Sequence, residues 1–195
     1  MSPAALSVMP AARKMNKIKN KIVDYINEVI RPPRKEFGDM PTCPFAGPEL
    51  DAGKLMISAI CPEGKPLPEL IQEFLDSDYN SALFAIVTDE KLSAKDTKQY
   101  QKFVNKILKR EGASDYKVIC FNPSDTITTV DGFNARAMAP YFLVNIAHRR
   151  ELGKAHRTLM KTKYFHRLSD AYLKYLHVDP KKLNKGECPS SNRRT

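Results

Sequence analysis

Ser81-Ala-Leu-Phe-Ala-Ile-Val-Thr88 is an unbroken apolar run closed at both ends by hydroxyl side chains. A run this short without polar alternation reads as a strand buried on both faces, the central strand of a sheet covered by helices. The segments on either side of it alternate in character. Leu55 to Ile60 reads as a strand between Gly53 and the Pro62/Gly64 pair, and Leu67 to Leu75 as a short helix opened by Pro66 and Pro68. Downstream, Tyr100, Phe103, Val104, Ile107 and Leu108 recur at helical intervals within Ser93 to Arg110, with Lys95, Lys98, Lys102, Lys106 and Lys109 turned outward and Gly112 as the stop. Tyr116 to Phe121 is a third strand ended by Asn122-Pro123. A polar loop, Ser124 to Ala135, leads to a fourth strand at Ala139 to Ile146. Two successive strand-helix-strand units imply parallel pairing, whereas the loop into the last strand suits an antiparallel partner. The expected fold is a single α/β domain with a mixed sheet of about four strands flanked by helices.

Outside this nucleus, Ile18, Ile22, Ile26, Val29 and Ile30 place a helix over Met15 to Ile30, stopped by Arg31-Pro-Pro. Residues 1–14 read as a disordered extension, 15–179 as the domain and 180–195 as a basic polar tail. Arg34 to Asp51 holds Pro41, Pro44, Pro48, Gly38 and Gly47, a composition that predicts a long connector without regular structure. Its Cys43-Pro-Phe-Ala46 group is apolar enough to pack down. Tyr164 to Leu176 carries an apolar helical face and reads as a last helix.

With 195 residues, 42% hydrophobic, the chain can bury a core. No run approaches the ~20 apolar residues that cross a bilayer, and the first residues lack the order of a secretory signal. Four separated cysteines, Cys43, Cys61, Cys120 and Cys188, argue for reduced thiols, a cytoplasmic setting and no zinc ribbon. Cys61 and Cys120, at strand ends, are expected in the core. Eight unclustered glycines exclude a phosphate-cradling loop. The net charge of +10 points to anionic partners, although ten cations lie towards the ends, at Arg13, Lys14, Lys17, Lys19, Lys21, Lys181, Lys182, Lys185, Arg193 and Arg194.

Chemistry is most concentrated in Ala147-His-Arg-Arg-Glu-Leu-Gly-Lys-Ala-His-Arg157, directly after the last strand. The bland reading is a solvated basic turn. The alternatives are an anion site built from Arg149, Arg150, Lys154 and Arg157, or metal or haem ligation by His148 or His156. Cys43 is either a buried small hydrophobe or a thiolate ligand or nucleophile. Asp125 and Asp131 read as loop caps.

Cys43-Pro-Phe-Ala-Gly47 ahead of a strand, followed by the Tyr141-Phe-Leu-Val144 strand and a histidine and arginine cluster, resembles the YqcI/YcgG family. That resemblance implies a haem-dependent oxygenase that hydroxylates nitrogen in a small guanidino or amine compound, served by an electron donor protein. It implies that Cys43 to Gly47 is the signature loop, Phe45 included, that His148 or Cys43 ligates the haem iron, and that Arg149, Arg150, His156 and Arg157 lie about the cofactor. Asp125 or Asp131 would anchor the cationic substrate. The competing expectation is a non-catalytic basic module that holds RNA or another polyanion through helix-borne lysines with Tyr100, Tyr172 and Tyr175.

Overall fold

The computed structural model describes residues 11–61, 64–175 and 178–179. Its frame is a four-stranded sheet of β3 (Leu55–Ile60), β4 (Ser81–Ile86), β5 (Tyr116–Phe121) and β6 (Phe142–His148), in the order β3-β4-β6-β5. The mixed α/β architecture is as expected. β3 and β4 pair in parallel through α3 (Leu67–Leu75), and every residue of β4 is buried. The pairing of β5 differs from the expectation. It returns through α4 (Ala94–Arg110), but β6 inserts between it and β4 and pairs antiparallel with both. Among the described residues its hydrogen-bonded partner in the sheet is therefore antiparallel. β6 also runs later than expected, ending on His148.

Side-chain alternation divides the core in two. Met56, Ala82, Phe84, Ile86, Val118, Cys120, Phe142, Val144 and Ile146 face α3 and α4. Ala59, Leu83, Ala85 and Leu143 face α1 (Ala11–Tyr25), whose Ile18 and Ile22 are fully buried, and the π-helical turn Ile26–Ile30 that extends it. α1 begins four residues before Met15, so Ala11 to Lys14 belong to the helix and not to an extension. Residues 1–10 and the tail 180–195, with Cys188, lie outside the described residues.

The proline-rich connector is not irregular throughout. It holds a two-residue ladder, β1 (Pro33–Arg34) with β2 (Met40–Pro41), and a short helix α2 (Ala46–Asp51). Pro48 is tolerated because it stands in the first turn, where its missing N–H has no intrahelical partner to lose. The basic segment after β6 is a helix, α5 (Arg149–Leu159), rather than a turn, and α6 (Asp170–Tyr175) is shorter than the expected last helix. A third core, of Phe37, Leu159, Tyr164, Phe165, Leu168 and Tyr172 among others, joins the connector to this carboxyl-terminal part. No helix among the described residues is long and apolar enough to cross a membrane.

Candidate functional site

His148 ends β6 and is the N-cap of α5. Its Nδ1 accepts the Arg150 backbone N–H at 3.2 Å, its Nε2 lies 2.6 Å from the Asp115 carboxylate, and its ring meets Tyr116 edge-on at 5.2 Å. A ring that accepts at Nδ1 carries its proton at Nε2, which it donates to Asp115. The one lone pair of that tautomer is occupied by the helix cap, so the imidazole has none to give to iron. His156, two turns on, packs against the Phe165 ring at 5.3 Å. Burial, with the Lys117 ammonium nearby, holds its pKa below the ordinary 6.5.

Cys43 approaches α5 only through intermediates, since the Glu49 carboxylate that its thiol feels also feels Glu151. Its N–H reaches Ile30 O at 3.5 Å, the Tyr164 hydroxyl donates to the carbonyl of Thr42, and the electrostatic neighbours of the thiol include Glu49 while Tyr164 and Tyr172 feel it in turn. The residue keeps part of its surface in solvent, yet burial around its sulfur raises the thiol pKa, against a smaller lowering by the Phe45 and Ala46 backbone N–H groups. A raised pKa keeps the sulfur protonated at neutral pH, the reverse of what a thiolate ligand or nucleophile needs. Phe45 is 38% exposed. Among the described residues no hydrogen bond, ion pair or ring contact joins Cys43 to His148, and no group of three or more His, Cys, Asp or Glu is placed to hold a metal ion. Cys43 and His148, named for the haem iron, are thus held by other partners and are not in direct contact with one another.

Asp125 does cap its loop, and both its carboxylate and that of Asp131 meet an arginine. Asp125 accepts the Ile127 N–H at 2.8 Å and faces Arg136 Nη1 at 3.0 Å, while Asp131 pairs with Arg167 at 3.1 Å. Arg136 was not singled out from the sequence. It is 1% exposed, donates to Ile127 O at 3.2 Å and lies over the Tyr172 ring at 5.0 Å. A lone cation among small residues, Asn134-Ala-Arg-Ala-Met138, was the signal available. Tyr172 is buried in this cluster, whereas Tyr100 is half-buried with its ring against Phe142; the Tyr175 side chain lies outside the described residues. Cys120 is in the core and its thiol is pushed up to about 12 by burial, whereas Cys61 is only half-buried.

The cations around α5 do gather on one surface. Ala155 and Leu159 anchor the helix inward, which turns Arg149, Arg150, Lys154 and Arg157 to solvent, and the chain continues with exposed Lys161, Lys163 and Arg167. From 149 to 167 the only carboxylate is Glu151, which Lys154 takes at 2.8 Å. Arg149 is engaged by Ser114 O at 3.1 Å. Arg150, Arg157, Lys161 and Lys163 have no ion pair among the described residues. At its far end this ridge meets a cavity of about 300 Å³ lined by Lys35, Gly38, Asp39, Lys163, His166 and Arg167. Gly38 (φ 65°) permits that meeting, for a Cβ there would stand 2.9 Å from the Lys163 backbone.

Comparison with protein-family models, with curated proteins and with solved structures found no match for this chain.

Proposed function

We propose that the protein binds an extended polyanion, single-stranded RNA in the first instance, along the outer face of α5 and the turn that follows it. The observation that carries this reading is the set Arg150, Arg157, Lys161 and Lys163: exposed cations without carboxylate partners among the described residues, the two arginines turned outward because the apolar anchors of α5 lie on its opposite side and the two lysines following in the turn beyond it. Each cation that neutralises a phosphate releases counterions, so affinity falls linearly with log salt by about 0.7 per contact on a single strand. Fluorescence anisotropy of a labelled oligouridylate across a potassium chloride series tests it. Binding that is steep in salt and weakened by Arg150→Glu with Arg157→Glu is expected; absence of binding at low salt, or indifference to those substitutions, ends the reading. A reduced, cytoplasmic setting belongs to the same proposal.

The haem-dependent N-oxygenase remains a separate proposal resting on the Cys43 to Gly47 motif. In this geometry His148 would have to leave the Arg150 N–H before meeting iron. Titration with haemin decides it: the reading requires a Soret band that is lost in His148→Ala or Cys43→Ala.

A further inference from the structure

β6 runs antiparallel between β4 and β5, so the chain that feeds it must arrive across the carboxyl ends of both neighbours. β4 leaves the sheet at Ile86, opposite Phe142, and β5 at Phe121, opposite Leu143. Beyond those points residues 87–92 and 122–124 part, and Pro140 to Phe142 floor the gap. The result is a cleft of about 260 Å³ whose polar wall includes Lys21, Thr88, Glu90, Lys91, Ser124 and Tyr141. The crevice outside the carboxyl ends of sheet strands is where open α/β sheets hold ligands. It lies at the opposite end of β6 from α5.

Two features separate this cleft from a gap between loops. Lys21 lines it half-buried from α1, its ammonium 5.7 Å from the Tyr141 ring centroid, and exposed Lys91 lines it from an unconnected element. The Tyr141 hydroxyl is enclosed and has no hydrogen-bond partner, an exception in folded proteins that calls for an explanation. The nearby start of α4 does not compete for a ligand, because Ser93 and Asp96 close it with a reciprocal capping box and Asn122 is consumed by Leu92 O, Ser93 O and Thr97 Oγ1.

We infer that this cleft binds a small phosphate ester. Lys21 and Lys91 supply two positive charges to a dianion, the Ser124 hydroxyl donates to its oxygens, as does the Tyr141 hydroxyl once the side chains that enclose it move aside, and Glu90 accepts from a hydroxyl or amine on the esterified part. Phosphate is favoured over carboxylate because the wall holds point-like ammonium groups and no guanidinium fork. The inference is independent of polyanion binding at α5.

The test is titration of the full chain with glycerol phosphate, inorganic phosphate and glycerol, followed by backbone amide resonances. Saturable shifts at Thr88, Lys91, Ser124 and Tyr141 are expected with glycerol phosphate and none with glycerol. Lys21→Gln and Tyr141→Phe should each weaken binding by about tenfold, the scale of one hydrogen bond to a charged group, while Lys98→Gln on the outer face of α4 leaves it unchanged. Shifts confined to α5 and residues 161–167, or affinities equal to wild type in both Lys21→Gln and Tyr141→Phe, overturn the inference. Equal affinity for inorganic phosphate overturns the ester and the role of Glu90. Should Tyr141→Phe fail to fold, Lys21→Gln carries the comparison alone, since that side chain only rims the core.

Discussion

Arg136 and His156 show how single side chains here depend on neighbours remote in sequence. Arg136 keeps a guanidinium in the interior because Asp125 and the Ile127 carbonyl meet it and the Tyr172 ring lies under it. Removing one partner of a buried pair costs more than the pair contributes, since the remaining charge stays desolvated. Asp125→Ala is therefore expected to lower stability by about 3 kcal/mol in urea denaturation, whereas Asp131→Ala, which breaks an exposed pair with Arg167, should cost less than about 1 kcal/mol. His156 makes a pH-dependent contribution. Its folded pKa lies below 6.5 because burial and Lys117 oppose the imidazolium. Between the folded value and 6.5 the unfolded chain binds the proton more readily, so stability is full above about pH 6.5 and declines as pH falls towards the folded value. Urea midpoints measured from pH 7.5 down to 5.5 should fall less in His156→Gln than in wild type; identical profiles would show that this imidazole makes no contribution.

At the scale of elements, α5 begins where β6 ends, with one residue serving both. His148 pairs with Tyr116 in the sheet and caps the Arg150 N–H. His148→Ala should lose about 1 kcal/mol, the usual worth of an N-cap, with a drop in the helical signal near 222 nm no larger than the fraying of one helix. The approach of the connector to the carboxyl-terminal turn is tighter. Gly38 holds a left-handed conformation, and any Cβ would meet the Lys163 backbone at 2.9 Å. Gly38→Ala is expected to cost about 2 kcal/mol or more, by strain and by displacement of the two segments, and to enlarge or open the basic cavity they share. A midpoint within error of wild type would show that this contact gives way freely.

Over the whole molecule, the balance between core and charge sets what can be altered safely. Phe84 is fully buried on the α3/α4 side of β4, and Phe84→Ala should cost about 3–5 kcal/mol. The ridge behaves in the opposite way. Arg150 and Arg157 contact solvent and have no ion pair among the described residues, so reversing both should leave the urea midpoint within about 0.5 kcal/mol of wild type while reducing the salt slope of RNA binding by about 1.4. Loss of stability and loss of binding are thus expected to separate along the same chain.

The residues that read correctly in the sequence are those whose structure follows from local pattern. The run Ala82 to Val87 is apolar throughout and all but its last residue lies in the strand Ser81–Ile86, buried on both faces; Leu67–Leu75 and Tyr116–Phe121 fall where their periodicity and punctuation put them. Their spacing is set by backbone geometry a few residues at a time, which is why it is legible. The insertion of β6 between β4 and β5 depends instead on which strands exchange hydrogen bonds, and Asn145 would pair as well in several orders until the cores on both faces are filled. The same limit governs the sites. Charge density from His148 to Arg157 is visible in the chain, but the packing that sorts those cations to one side of a helix, the capture of His148 by Asp115 and the surroundings of Cys43 arise from contacts between segments far apart in sequence. Arg136 and Tyr141, ordinary residues in linear order, owe their interest entirely to what the folded chain encloses around them.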